Sequence, residues 1–478
     1  MSALENAEEP APGEPLLDGR LIGEVLSEAL RRGGDFAEVY AEDRRGSSAV
    51  FEDGKVSELS SGTDRGAGIR VVSGGTTGFA HVPDLTEAGL MEAARVASAV
   101  ARSGSGEPER LVAVGEAPSG VRKAKWLPGE VPKQTQVELL RRADAEARGA
   151  GGSIRQVVVS YAGSRRRFVV ASSDGVLAAD DQVRTRLGVS CVALGDGGFQ
   201  TAYETVAQTA GFEIFDEVTP EEIARVAADR ALVKLAARPA PRGATVVVLA
   251  PGSGGVLFHE ACGHGLEADH IAKGSSVFAG RIGEAVASPL VTLVDDGAFD
   301  RGWGSCDFDD EGQPASRSVL VQDGVLTDYM WDRLRARTEH RSSSGNGRRQ
   351  SYRHLPMVRM TNTYVLPGAE DPEEVIAQTP KGVYVRKLGG GQVNTVTGDF
   401  VFGMTEAYLI ENGAVGEPLR DANLIGNGPE VLRNVDVVAS DFGIEPGTCG
   451  KDGQLAPVGC GQPTLRVTEV TIGGTSSG

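Results

Sequence analysis

Apolar positions recur at helical spacing from Leu16 to Arg32, which predicts an amphipathic helix there. The pattern then changes to alternation over Phe36–Glu42, the mark of a half-buried strand. Asp53-Gly54 lies between Val50-Phe51 and Val56 and predicts a hairpin turn. A second hairpin is expected from Gly68–Val72 through Ser73–Thr77 to Gly78–Val82. Helical spacing returns over Thr86–Arg102, and the Pro-, Lys- and Gly-rich stretch 118–132 reads as a linker. Beyond it the pattern predicts a helix over Thr135–Ala150 and strands at Ile154–Tyr161, Arg167–Ser172 and Val176–Val192. Ser173-Asp174-Gly175 is the turn between the last two. Thr219-Pro-Glu-Glu is a helix start of the kind that a capping threonine and a first-turn proline favour, and that helix should end near Ala237, before Pro239 and Pro241.

These elements predict an α+β, multi-domain protein. The expected divisions are an acidic tail over 1–15 that stays disordered, an N-terminal α/β domain over 16–125, a middle α/β domain over 126–240, and a large β-rich C-terminal domain over 241–478. The chain has 478 residues, enough for two or three cores, and no short internal repeat, which argues against a solenoid. A formal charge of −18 argues against nucleic-acid binding over the whole surface, although Arg348-Arg349 is a local basic patch. Five cysteines are few and odd in number, so a disulfide framework is not expected and a reducing cytoplasm is. The segment Met1–Pro15 has neither the basic nor the apolar region of a signal peptide, and no apolar run is long enough to span a membrane.

The sharpest chemical signal is His259-Glu260-Ala261-Cys262-Gly263-His264. In the zinc-peptidase pattern H-E-x-x-H the histidines are four apart, about 40° around the helix, so both rings reach one metal while the glutamate serves as base. Here they are five apart, roughly 140° around an undistorted helix and about 7.5 Å along it, so a regular helix cannot bring both to one ion. Glycines at 263 and 265 flank the second histidine, and a widened turn near Gly263 is the expected remedy. Thr245–Leu249 should be a strand and Pro251–Gly255 a turn, with Val256-Leu257-Phe258 opening the helix that carries the motif. By itself the motif is equally compatible with two ordinary histidines before a glycine stop.

A longer pattern adds to this. The run from Pro251 to Asp269, Gly345–Tyr352 with Arg359–Tyr364, Gly389–Asn394, and Gly447–Gln454 together resemble the TldD/PmbA family of metallopeptidases, in its TldD branch. The resemblance covers about residues 20 to 475. It implies Zn2+ held by His259, His264 and Cys449, with Glu260 as the catalytic base. It also implies short or unfolded peptides as substrates and a complex with a zinc-less TldE/PmbA-like paralogue, a homodimer being the other possibility. Cys449 suits the third place, since a catalytic zinc takes three protein ligands and Lys451 nearby would favour a thiolate. Rival third ligands are His270, Glu267 and Asp269. Cys262 is expected to pack as a small hydrophobe, and a Cys449–Cys460 disulfide, although possible, would destroy the thiolate.

Other motifs admit two readings each. The glycine-rich loop Gly345–Ser351 is either solvated or places Arg348 and Arg349 to clamp a peptide carboxylate. Gly389–Asn394 lacks dinucleotide spacing, so Gly390, Gly391 and Asn394 either form a simple turn or let a substrate backbone approach. The acidic run Asp307–Glu311 lacks EF-hand spacing and reads as a solvated loop. The expected function is zinc-dependent peptide hydrolysis. The alternatives are a peptide-binding or regulatory protein with a structural zinc, and a thiol hydrolase using Cys449.

Overall fold

The computed structural model describes residues 15–101, 124–196, 198–394 and 396–474; the tail over 1–14 and the first part of the expected linker lie outside them. The first half of the chain forms one antiparallel sheet. Its strands are β1 (Phe36–Glu52), β2 (Lys55–Ser73), β3 (Thr76–Val82), β4 (Ile154–Ser172), β5 (Leu177–Gly195) and β6 (Gly198–Gln208), in the order β3-β2-β1-β4-β5-β6. The Asp53-Gly54 turn forms as expected, with both residues at positive φ (50° and 74°).

The strands are longer than the alternation predicted. The two strands expected over 154–161 and 167–172 are one, because β4 continues through Gly163–Arg166 while pairing with Arg44–Ser47 of β1. Both middles are polar, so side-chain pattern hides a ladder that backbone hydrogen bonds complete. That ladder joins β1 and β4, which lie on either side of the division expected at residue 125, in one sheet. Each end of the sheet nevertheless keeps its own core. Helices α1 (Gly19–Leu30) and α2 (Glu87–Val100) pack Val25, Leu26, Leu90 and Ala94 on Val39, Ile69 and Ala171. Helices α3 (Lys133–Gly149) and α4 (Pro220–Ala236) pack Leu139, Leu140, Ala227 and Ala231 on Phe51, Val157 and Val189 at the other end. α4 begins with the full capping box, Thr219 and Glu222 each bonding the other's backbone, and Pro220 opens its first turn.

The C-terminal part is β-rich, as the pattern predicted. Strands β7 (Gly243–Leu249), β8 (Lys381–Val393), β9 (Asp399–Glu411), β10 (Ala422–Asn427) and a final strand, Leu465–Gly474, pair in a closed ring. A second sheet contains the hairpin made by Gly443–Lys451 and Gln454–Gln462. Between the ring and this hairpin runs α5 (Gly255–Ala261), the histidine helix. A Cβ on Gly255 would stand 2.3 Å from the Gly461 nitrogen, so glycine is what lets the helix lie directly on the hairpin backbone.

The two halves meet through buried charge. Arg70 lies 2.7 Å from both Glu38 and Glu311, Arg166 lies 2.8 Å from Asp310, and Arg349 lies 2.5 Å from Glu38. The acidic run is therefore not the solvated loop expected: Asp309, Asp310 and Glu311 are all buried, because arginines and backbone N–H groups receive them. Among the described residues no helix is long and apolar enough to cross a membrane.

Candidate metal centre

The strand β7 delivers the chain to the Pro251–Gly254 turn, and α5 then presents His259 and Glu260 from its last turn. The helix stops at Ala261. Cys262 leaves α geometry (φ −126°, ψ −50°), and Gly263–Leu266 tightens into a 3-10 turn. The expected departure from regular helix is present, but as a break followed by a tighter turn rather than as a widened one. Gly263 serves it through space: a Cβ there would stand 2.2 Å from Met360 Sδ. The break rotates the second ring back, so the His259 and His264 centroids are 5.1 Å apart at 83°.

Cys449 reaches the same point from the hairpin. Its Sγ lies 3.4 Å from His264 Nε2, and one donor atom from each of His259, His264 and Cys449 falls within 4.8 Å of the others. All three residues are buried. Neither ring nitrogen of His259 has a hydrogen-bond partner among the described residues, a costly condition for an imidazole 1 % exposed. The arrangement fits a zinc-like ion. Tetrahedral bonds of roughly 2.0–2.3 Å place ligand atoms roughly 3.3–3.6 Å apart, and two histidines with one thiolate leave a fourth position open.

The electrostatics favour a thiolate at Cys449 and a positive charge beside it. Burial opposes a Cys449 thiolate, but the imidazoles of His259 and His264 beside it overcome that and bring the thiol down to about 4. Burial likewise opposes charge on His264, yet Glu267 and Cys449 raise it to about 10. His259 is held well above the usual imidazole range, against its burial, by the sulfurs of Cys460 and Cys449. Lys451, the cation expected to favour the thiolate, points elsewhere: its Nζ lies 3.0 Å from Glu267 and 2.8 Å from Asp269.

The rival ligands Glu267, Asp269 and His270 gather in a second cluster around that ammonium. Glu267 accepts from His264 Nδ1 at 2.9 Å, which fixes the ring with Nε2 toward Cys449. Glu267, one of the rival third ligands, sits three residues after His264 and so stands behind its ring. Glu260 Oε2 is 3.8 Å from His264 Nε2, and its side chain is 32 % exposed whereas the three residues of the triad are buried. Cys262 packs into the core as expected, and Cys449 and Cys460 are both free thiols, not a disulfide.

The remaining candidates are dispersed. Arg348 is buried and donates to the carbonyls of Met360 and Pro457. Arg349 is committed to Glu38 and stacks 4.2 Å from the Tyr40 ring. Neither is brought to the triad. Gly390 and Gly391 are exposed on β8, and Asn394 uses its side-chain oxygen to accept from Val396 and Thr397, shaping a turn.

Comparison with known proteins matches three family models in order along the chain. They are PmbA/TldA metallopeptidase domain 1 over residues 37–101, the central domain over 126–235 and the C-terminal domain over 242–474. A metalloprotease TldD homolog of Haemophilus influenzae is 41 % identical over 450 residues, covering 92 % of this chain and 93 % of its own. A protein of Saccharolobus solfataricus named zinc metalloprotease TldD homolog is 26 % identical, covering 94 % of this chain and 99 % of its own. The crystal structure of TldE from Thermococcus kodakarensis superposes with a TM-score of 0.76 at 21 % identity, over 95 % of this chain and all of that one (100 %), which shows a shared fold.

Proposed function

The chain belongs to the PmbA/TldD family of metallopeptidases, and from that premise we propose that it hydrolyses peptide bonds with a zinc ion held by His259, His264 and Cys449. When bound, zinc supplies Lewis acidity toward a carbonyl oxygen and toward water. The chain's own contribution begins with Glu260. Its carboxylate lies beside His264 on the exposed side, where it can take a proton from the attacking water and return it to the departing amine. Glu267 holds His264 from behind, and Lys451 balances the charge of Glu267.

The observation that carries this reading is the meeting of His259, His264 and Cys449 with Glu260 at the rim. A purely structural site would need no carboxylate there. A thiol hydrolase would present its sulfur to substrate, whereas Cys449 is 2 % exposed.

Short or unfolded peptides are the substrates we assign. Along β8, Val383–Val385 pairs with β7, but Gly389–Val393 has no strand on that edge among the described residues. Leu388 N donates to Ser253 Oγ at 2.6 Å, just ahead of α5, so the free edge begins beside the histidine helix. An extended peptide can add to it through backbone hydrogen bonds, with Gly390 and Gly391 leaving room for close approach. Such a site selects for unfoldedness more than for sequence. The proposed setting is the cytoplasm, with a zinc-less TldE-like paralogue or a second copy as partner.

The test joins metal analysis to a peptide-cleavage assay. Glu260→Gln should keep zinc and fold while losing at least about a hundredfold in turnover. Full turnover in the zinc-loaded variant would sink the base assignment. Activity that survives removal of the metal by phenanthroline would point to Cys449 as nucleophile.

A further inference from the structure

The polar middle of the N-terminal sheet does not pack flush on the C-terminal part. Between them is a cavity of about 500 Å3, bordered by the sheet on one side and by residues 448 and 455–457 of the Cys449 hairpin on the other. Six arginines line it (Arg44, Arg166, Arg184, Arg186, Arg348 and Arg349) against a single carboxylate, Asp310. In a chain of net charge −18, that local excess is a product of the fold.

The charges are unevenly answered. Arg166 has Glu42 at 3.0 Å and Asp310 at 2.8 Å, and Arg349 has Glu38. Arg184 and Arg348, both buried, have no carboxylate partner among the described residues. Arg184 donates to the carbonyls of Trp303 and Ser305 and to Gln182, at 2.7–3.1 Å. Arg348 donates to the carbonyls of Met360 and Pro457. The Nε and Nη1 of Arg349 are buried without an acceptor among the described residues. Dipoles offset a buried guanidinium less fully than an anion does. Burial first, and then repulsion from Arg348 and Arg166, brings Arg184 down to about 9.

We propose that this cavity binds a small oxyanion ligand with about two negative charges, borne by phosphate or carboxylate groups, held between the N-terminal sheet and the Cys449 hairpin. The ligand would supply the counter-charge that Arg184 and Arg348 lack. It would also brace the strand on which Thr448, at the cavity wall, precedes Cys449.

Calorimetric titration of the full-length, zinc-loaded protein tests this with inorganic phosphate and, separately, succinate, in chloride buffer of matched ionic strength. Saturable binding of one anion per chain is expected, and which probe binds more tightly identifies the group. Arg184→Gln should weaken it at least about tenfold, the effect of removing a charge-assisted contact. Since Arg184 is bonded into the core, Arg186→Gln provides a second variant: that side chain is half-buried and bonds Tyr203, so the fold should tolerate its loss. Arg225→Gln, on the exposed face of α4, should leave binding unchanged. No saturable binding of either probe, or binding that Arg186→Gln and Arg184→Gln leave intact, overturns the proposal.

Discussion

Replacing Glu267 by alanine probes how the centre is held. The residue is fully buried, and its Oε2 accepts from His264 Nδ1 at 2.9 Å and from Lys451 Nζ at 3.0 Å. Removing one partner of a buried ion pair costs about 3–5 kcal/mol. Lys451 keeps Asp269 at 2.8 Å and the Val358 carbonyl at 2.9 Å, so the lower end, about 3 kcal/mol, is expected. The loss has a defined pH course. Burial opposes the Glu267 charge, but His264 and Lys451 prevail and lower its carboxyl to about 2. Its contribution is therefore present above the unfolded value of about 4.3 and disappears as pH falls toward 2. Urea unfolding of the metal-free proteins should show the gap between parent and variant closing over that range. Losing the partner behind a metal-binding imidazole also costs about 10–100-fold in metal affinity, measurable by competition with a chromophoric chelator. Glu267→Gln keeps an oxygen for His264 Nδ1 and should stay within about tenfold of the parent for zinc, yet lose stability because the charge facing Lys451 is gone. A folded alanine variant that binds zinc as tightly as the parent would show that Glu267 does not orient His264.

Two other substitutions separate the ligands from their surroundings. Cys449→Ala should lower zinc content and cleavage together, while Cys262→Ala and Cys460→Ala retain most of both. Undiminished zinc in the Cys449 variant would move the ion to the cluster of Glu267, Asp269 and His270. Gly263→Ala should cost about 1–3 kcal/mol in unfolding experiments, since its Cβ would stand 2.2 Å from Met360 Sδ, and Gly263→Val should be worse. If Met360 is the obstacle, Met360→Ala should recover part of that loss in the double variant, and strict additivity would refute this contact as the cause.

What could be read from the chain and what could not divide along a physical line. The Asp53-Gly54 hairpin, the Thr219 capping box and the stop before Pro239 were legible because each depends on neighbours within a few residues. The histidine motif was legible for the same reason, as was the need for its helix to break, since five-residue spacing and helical pitch are incompatible with one shared ion. The form of the break was not. It depends on Met360, about a hundred residues away, whose sulfur leaves no space for a side chain at 263. The β4 ladder was missed where polar residues of two strands face each other, because alternation reports burial and not backbone pairing. Arg348 and Arg349 read either as part of a solvated loop or as clamps for a carboxylate, because arginines among glycines carry no sign of burial. Their burial requires Glu38, Asp310 and Pro457, contributed by three distant elements. Lys451 was expected to act on its neighbour Cys449, but adjacent side chains on a strand point to opposite faces only at odd separations. Two residues apart they share a face, and Lys451 still turns away because Glu267 and Asp269 offer two charges where Cys449 offers one that two histidines already hold. Pairwise expectation along the chain failed there through competition among partners, which only the folded arrangement decides.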